Sequence, residues 1–474
     1  MLQKNPELTI PLNNPFQNDQ LDRDKVADNL TLLVQSTTQP FVLSVQAPSG
    51  WGKTTFIKMW KTQLETLGHI CFYFNAWEND FVNDPLIAFV GEINKVTLDK
   101  SVMGQLGAQL KKLQGFGGKI VRRALPLTIQ IATQGLLGQE TVKQASNLLF
   151  ASGGEIANFA SQLAEENMRQ YENDKNGIRE FRNELKHFMK SLSAGQGKRA
   201  PVVFFIDELD RCRPDFTILL LERIKQIFSV EGIVFVLGVD RAQLEQAVKS
   251  VHGDGIDRDG YLRRFVDFTV NLPEPTVEKY CNFLFERFKL QEVFSKRRSG
   301  REESESLMRA FVGLARVYRF SLRVIEQCFT EINLALRTTP NNERIFPFLL
   351  ALLVALKTEK PASYDLLLGS VSEAEIHSLT SELKQEFDIN DRLHKWTLSQ
   401  FEAYLVSGYL SDPQQKADYL NTLKQSAVSQ DPIERSYAQQ ALRFLDQIQI
   451  DSSATAIPNL VSRLSLLQRL TLTH

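Results

Sequence analysis

FVLSVQ (41–46) runs without a break into APSGWGKTT (47–55), and a helix-forming stretch continues to about Gly68. A short apolar strand, a glycine-bearing loop and a helix, in that order, form the context a phosphate-binding loop requires. In Ala47-Pro48-Ser49-Gly50-Trp51-Gly52-Lys53-Thr54 the glycines let the backbone curl, so that its N–H groups and the helix N-terminus face an anion. Lys53 can bridge β- and γ-phosphates, and the Thr54 hydroxyl can ligate Mg2+. Ser49, Gly50, Trp51, Gly52 and Thr55 are the further candidates for contact with a nucleotide. The usual first glycine of the pattern is Ala47 here, at a position that tolerates a small side chain more readily than the later glycines do.

Outward from this loop the same grammar repeats. HICFYF (69–74) is a second buried-strand run, and Asp84-Pro85 opens the next helix. VVFFID (202–207) is the most apolar strand signal in the chain, followed by a helix at about 215–229 and the strand IVFVLGVD (233–240). VDFTVNL (266–272) is the last strand-like stretch. Short buried strands alternating with helices predict an α/β fold, a parallel sheet with helices on both faces. It is interrupted by a helical insertion and followed by a helical C-terminal region. The boundaries read as an N-terminal arm over 1–20, the core over 21–99 and 201–274, the insertion over 100–200, a helical lid over 275–345 and a helical C-terminal region over 346–474.

The second chemical element is the end of VVFFID. Asp207 closes a buried strand, with Glu208, Asp210 and Arg211 after it. A carboxylate there can hold Mg2+, and a second one beside it can polarise an attacking water. The alternative, that Asp207 and Glu208 merely end a core strand and cap a helix, stays open on this stretch alone. Asp240-Arg241 marks the exit of the next strand, where a residue sensing the γ-phosphate is often found and where a simple strand-ending turn serves equally. Asn94-Lys95 continues as Val-Thr, so no N-K-x-D guanine-reading motif is present there, and ATP is expected over GTP.

FNAW (74–77), VVFFIDELDRCRP (202–214) and VFVLGVDR (234–241), in that order around the phosphate loop, resemble the KAP family of P-loop NTPases from about Leu21 to Arg337. The resemblance implies ATP hydrolysis, with Lys53 and Thr54 on phosphates and metal and with Asp207 and Glu208 as the magnesium and catalytic carboxylates. The tryptophan has moved: Trp51 stands just before Gly52, where the family more often has it earlier, at the place of Ser49. Asn75 and Trp77 read as structural, an aromatic at a strand end being commonly core. YLRRFVDF (261–268) resembles the R-R-F segment of AAA+ ATPases, which would send Arg264, or Arg263 behind it, into a neighbouring subunit's site. FSLRVIEQ (320–327) resembles the start of a lid helix, from which Arg323 would reach the γ-phosphate. Surface charge is the competing account for both arginines. The resemblance further implies a conformational or oligomeric switch, a homo-oligomer and a protein effector or sensor partner; a role in antiphage defence follows only by analogy with prokaryotic members.

Composition bounds the rest. A formal net charge of −1 over 474 residues supplies no global field toward nucleic acid or membrane, which leaves a nucleic-acid contact undecided. Cys71, Cys212, Cys281 and Cys328 are scattered without a C-x-x-C pair, the pattern of reduced thiols in a cytoplasmic protein. The start, MLQKNPELTIPLNNPF, lacks the basic-then-apolar order of a signal peptide. ALPLTIQIATQGLLG (124–138), preceded by Lys111, Lys112, Lys119, Arg122 and Arg123, could rest on a membrane surface, although a soluble helical subdomain is the favoured reading.

Overall fold

A computed structural model describes residues 9–82, 84–97, 112–113, 175–192, 199–297, 300–340, 346–451 and 456–471. The chain divides into two compact units, Met1–Pro273 and Glu274–His474.

The first unit is built on a five-stranded parallel sheet in the order β2-β3-β4-β1-β5. The strands are β1 (Phe41–Gln46), β2 (His69–Asn75), β3 (Arg199–Asp207), β4 (Ile233–Val239) and β5 (Phe268–Asn271). Helices α1 (Asp24–Ser36) and α2 (Lys53–Thr66) flank β1 in the chain, and α3 (Pro85–Thr97) follows β2. A helix over 175–192, here α4, precedes β3. Next come α5 (Pro214–Gln226), α6 (Arg241–His252) and the short α7 (Arg258–Leu262).

The period-two rule sorts each strand's side chains between the two faces. Leu43, Val45, Val203, Phe205, Val234 and Val236 pack with Ala27, Leu30 and Val34 of α1 and with Phe56, Ile57 and Trp60 of α2. Val42, Phe72, Phe204, Ile206, Phe235 and Leu237 pack on the opposite face with side chains of α3, α4, α5 and α6. That second core is aromatic: Phe72 stacks on Phe204 with ring centroids 4.5 Å apart, and Phe74 on Phe89 at 4.5 Å. Such pairs add about 0.5–1.5 kcal/mol each beyond area burial. The opening of α3 is fixed electrostatically as well. Asp84 accepts the N–H of Leu86 at 2.9 Å and the Arg223 guanidinium of α5 at 2.8 Å, with both side chains largely buried.

Because every strand of the sheet is parallel, all five C-terminal ends open on one edge, where doubly wound sheets place ligands. The register sets the site's members level there: Asn75 pairs with Asp207, and Gln46 with Val239. β3 starts at Arg199, three residues before the apolar run. A charge and a proline hide the strand's entry, yet Arg199 still pairs with His69 at the sheet's margin.

In the second unit, helices run from Val277 to Thr471. The helix Pro347–Glu359 is buried over every residue from Pro347 to Leu356, as its unbroken apolar sequence requires. Among the described residues no helix is long and apolar enough to cross a membrane. The 124–138 segment, and all of 100–171 except Lys112 and Leu113, lie outside the described residues.

Candidate functional site

The phosphate loop leaves β1 at Ala47 and enters α2 at Lys53. Gly50 (φ 82°) and Gly52 (φ 79°) are both left-handed, a backbone that strains any residue with a Cβ. Ala47 is not among the residues of positive φ, so the alanine that replaces the usual glycine costs no strain. Its N–H donates to Val239 O at 3.3 Å, which ties the loop to the end of β4. The loop's next tie is again to that strand exit: the Ser49 N–H donates to Asp240 Oδ2 at 2.8 Å, while Asp240 Oδ1 accepts from Ala242 and caps α6.

Lys53 is 9% exposed, and its Nζ donates to Ala47 O at 2.7 Å and lies 3.9 Å from Asp210 Oδ2. The ammonium is therefore held between the loop and the turn that follows β3. The Thr54 hydroxyl, one residue on, lies close enough to Asp207 to favour its ionised form. Asp207, 1% exposed, accepts from Tyr73 Oη at 3.0 Å and from the Glu208 N–H at 2.9 Å. Burial pushes the Asp207 carboxyl above its ordinary range, and the Thr54 hydroxyl and these two hydrogen bonds pull the other way. Asp210 is likewise raised by burial, with Lys53 opposing the shift. Gly238 of β4 makes the room: a Cβ there would lie 2.2 Å from Ile57 Cδ1 and 3.0 Å from Asp207 Oδ1.

Glu208 has left-handed backbone (φ 59°, ψ 24°), a conformation costing of order 1 kcal/mol in a non-glycine residue. It turns the chain out of the sheet into a 3-10 turn, Leu209–Arg211. Both carboxylate oxygens are engaged. Oε1 pairs with Arg211 at 2.8 Å, and Oε2 accepts from Asn75 Nδ2 at 3.1 Å.

Oxygen donors of this kind suit Mg2+, a hard cation that takes one or two protein oxygens and completes its shell with phosphate and water. Among the described residues no group of three or more His, Cys, Asp or Glu is placed to hold a metal. Thr54 and Asp207 are the residues that would hold the ion.

A family model for the KAP family P-loop domain matches residues 23–359. The chain belongs to the KAP family. Nucleotide binding follows as a family property. An uncharacterized protein of Methanocaldococcus jannaschii, MJ0182, is 27% identical over 181 residues, covering 36% of this chain and 90% of that one. The ORC2 protein of Aeropyrum pernix, solved as ADPNP-ADP complexes, is 13% identical with a TM-score of 0.34, covering 93% of this chain and 97% of that chain. A likeness this loose carries no further argument.

Within this KAP chain the first unit brings Lys53, Thr54, Asp207, Glu208 and Asp210 to one edge. Thr55 is exposed on the first turn of α2, and Trp51 is half-buried against the α1–α2 core. Trp77 is no core residue: it is 54% exposed, because the chain turns outward after β2 in a 3-10 turn, and its ring lies 5.8 Å from the Arg211 guanidinium. Asn75 supports the site structurally, its amide donating to Glu208 Oε2 at 3.1 Å. Arg241 does not face the loop; it bonds Glu245 at 2.8 Å and Asp259 at 2.6 Å on the surface. Arg263 takes the other oxygen of Asp259, also at 2.6 Å, whereas Arg264 is exposed with its guanidinium 5.8 Å from the Tyr261 ring. Arg323 belongs to the second unit, exposed on the first turn of the helix Leu322–Thr338, where its charge favours ionised Glu326.

Proposed function

We propose that this KAP-family protein binds ATP with Mg2+ and hydrolyses it slowly, as a conformational or oligomeric switch. The observation that carries the reading is the joining of the two halves of the site: Lys53 of α2 lies 3.9 Å from Asp210 in the turn after β3, and the Thr54 hydroxyl beside it favours the ionised form of Asp207, with Glu208 next in the chain. Lys53 and the loop N–H groups bind and orient the phosphates. Magnesium held by Thr54 and Asp207 would supply neutralisation of the charge on the phosphates. Glu208, once one of its oxygens leaves Arg211 or Asn75, can accept a hydrogen bond from the attacking water and orient it. Phosphate release from ATP with Mg2+ is the test. We expect turnover that EDTA stops and that excess GTP competes with poorly. Tight binding of ATP with no phosphate released would leave a non-hydrolysing scaffold instead.

The oligomeric part of the proposal rests on the contrast between two neighbouring arginines. Arg263 is committed to Asp259, while Arg264 is exposed and makes no ion pair among the described residues, which leaves it the one able to reach another subunit. Arg264→Ala should bind ATP normally yet hydrolyse it about 10³-fold more slowly. Adding Lys53→Ala protein, which keeps the arginine but loses its own nucleotide, should restore part of the rate. Full activity of Arg264→Ala, or no rescue together with a monomeric mass in ATP, would overturn it.

A further inference from the structure

Arg23 lies at the entry of α1, outside every sequence motif, and is only 2% exposed. Its guanidinium ends on the back of the phosphate loop: Nη1 donates to Trp51 O at 2.8 Å and approaches Gly52 O at 3.4 Å. Nη2 donates to Pro273 O at 3.2 Å, just past β5, and Nε has no hydrogen-bond partner among the described residues. Burying an arginine this deeply on backbone carbonyls, with Nε left unpartnered, is costly for a fold that needs only a helix start there.

The two loop carbonyls explain the expense. The Trp51 carbonyl shares its peptide group with the Gly52 N–H, and the Gly52 carbonyl shares its own with the Lys53 N–H. In a loop of this kind those N–H groups face the phosphates. A cation hydrogen-bonded to the carbonyl end of a peptide fixes that peptide's plane and polarises it, so that its N–H end becomes a stronger donor. The charge itself also sits directly behind the anion site. Burial lowers the Arg23 pKa to about 10, against the pull of Asp19, so the group stays charged at neutral pH.

We propose that Arg23 is a positioning residue for nucleotide binding: a buried second cation that backs the phosphate loop and strengthens its N–H donors toward the β-phosphate. The inference rests on the loop being the nucleotide site. Because the β-phosphate is common to ATP and ADP, the affinities for both should depend on it equally.

The test compares Arg23→Met, Arg23→Lys and Lys53→Ala by titration with ATP and with ADP, and by thermal melting without nucleotide. Methionine keeps most of the apolar stem, so a merely structural residue would be replaced with normal affinity in whatever protein remains folded. We expect Arg23→Met to bind ATP and ADP each about tenfold more weakly. Arg23→Lys, which restores the charge but cannot span Trp51 and Pro273 together, should recover part of that loss. If Arg23→Met does not fold, Arg23→Lys decides: a several-fold loss on both nucleotides at a near-normal melting temperature supports the proposal. Affinities within twofold of the parent for every folded Arg23 variant, while Lys53→Ala loses binding, would overturn this inference alone. If Lys53→Ala also binds normally, the loop is not the nucleotide site and both readings fall.

Discussion

Lys53→Ala is expected to weaken ATP binding by at least about 100-fold. A charge-assisted contact to phosphate is worth about 1.5–3 kcal/mol net, and this ammonium is placed to serve two phosphates. Its surroundings add to the loss. Lys53 is 9% exposed and 3.9 Å from Asp210, whose side chain is 7% exposed. Removing the cation leaves that carboxylate buried beside the incoming polyphosphate with nothing between the like charges, and it leaves Ala47 O without its donor. Arg23, behind the loop, cannot substitute, because it is bonded to the carbonyl side of the loop's peptides. Equilibrium titration of the folded variant measures the effect. An affinity within twofold of the parent would show that nucleotide binds elsewhere.

What could be read from the chain follows the distance over which each feature is encoded. The passage from β1 through the loop to α2 is local, and strand, glycines and helix are contiguous, so it was legible in full. β3 was legible from its apolarity, and with it the place of Asp207 and Glu208 at its end. The order β2-β3-β4-β1-β5 was not, because pairing between strands far apart in the chain leaves no local signature. The same limit hid the site's supports. Asp240 and Ser49 are 191 residues apart, and Asn75 and Glu208 are 133 apart. Arg23 looks like any charge at the start of a surface helix until its 2% exposure is known. Trp77 failed for another reason: a tryptophan after a strand usually packs inward, and only the outward 3-10 turn at Trp77–Asn79 shows that this one does not. Gly238 carried a faint signal, a glycine inside an otherwise apolar strand, which marks close approach. Here the approaching groups are Ile57 and Asp207.

Glu208→Gln should leave ATP bound and reduce turnover by about 10²–10⁴-fold, the range for a positioned general base. The amide keeps the size of the side chain and can still accept from Asn75 Nδ2, so the turn after β3 should persist. The charge is lost, and with it the 2.8 Å pair to Arg211; that pair is partly exposed and worth little to stability, so melting should shift only slightly. The contacts proposed for ATP come from the loop, Lys53 and Thr54, none of which touches Glu208, and binding should survive. The water-orienting role cannot survive, because a neutral amide oxygen draws a proton from water far less strongly than a carboxylate. The readout is phosphate release set against ATP affinity on the same preparation. Retained hydrolysis would move the assignment to Asp210, the other carboxylate at this edge. That outcome would be surprising on geometry, because Asp210 faces the Lys53 ammonium at 3.9 Å, whereas the partners of Glu208 are Arg211 and Asn75, either of which can give way to a water.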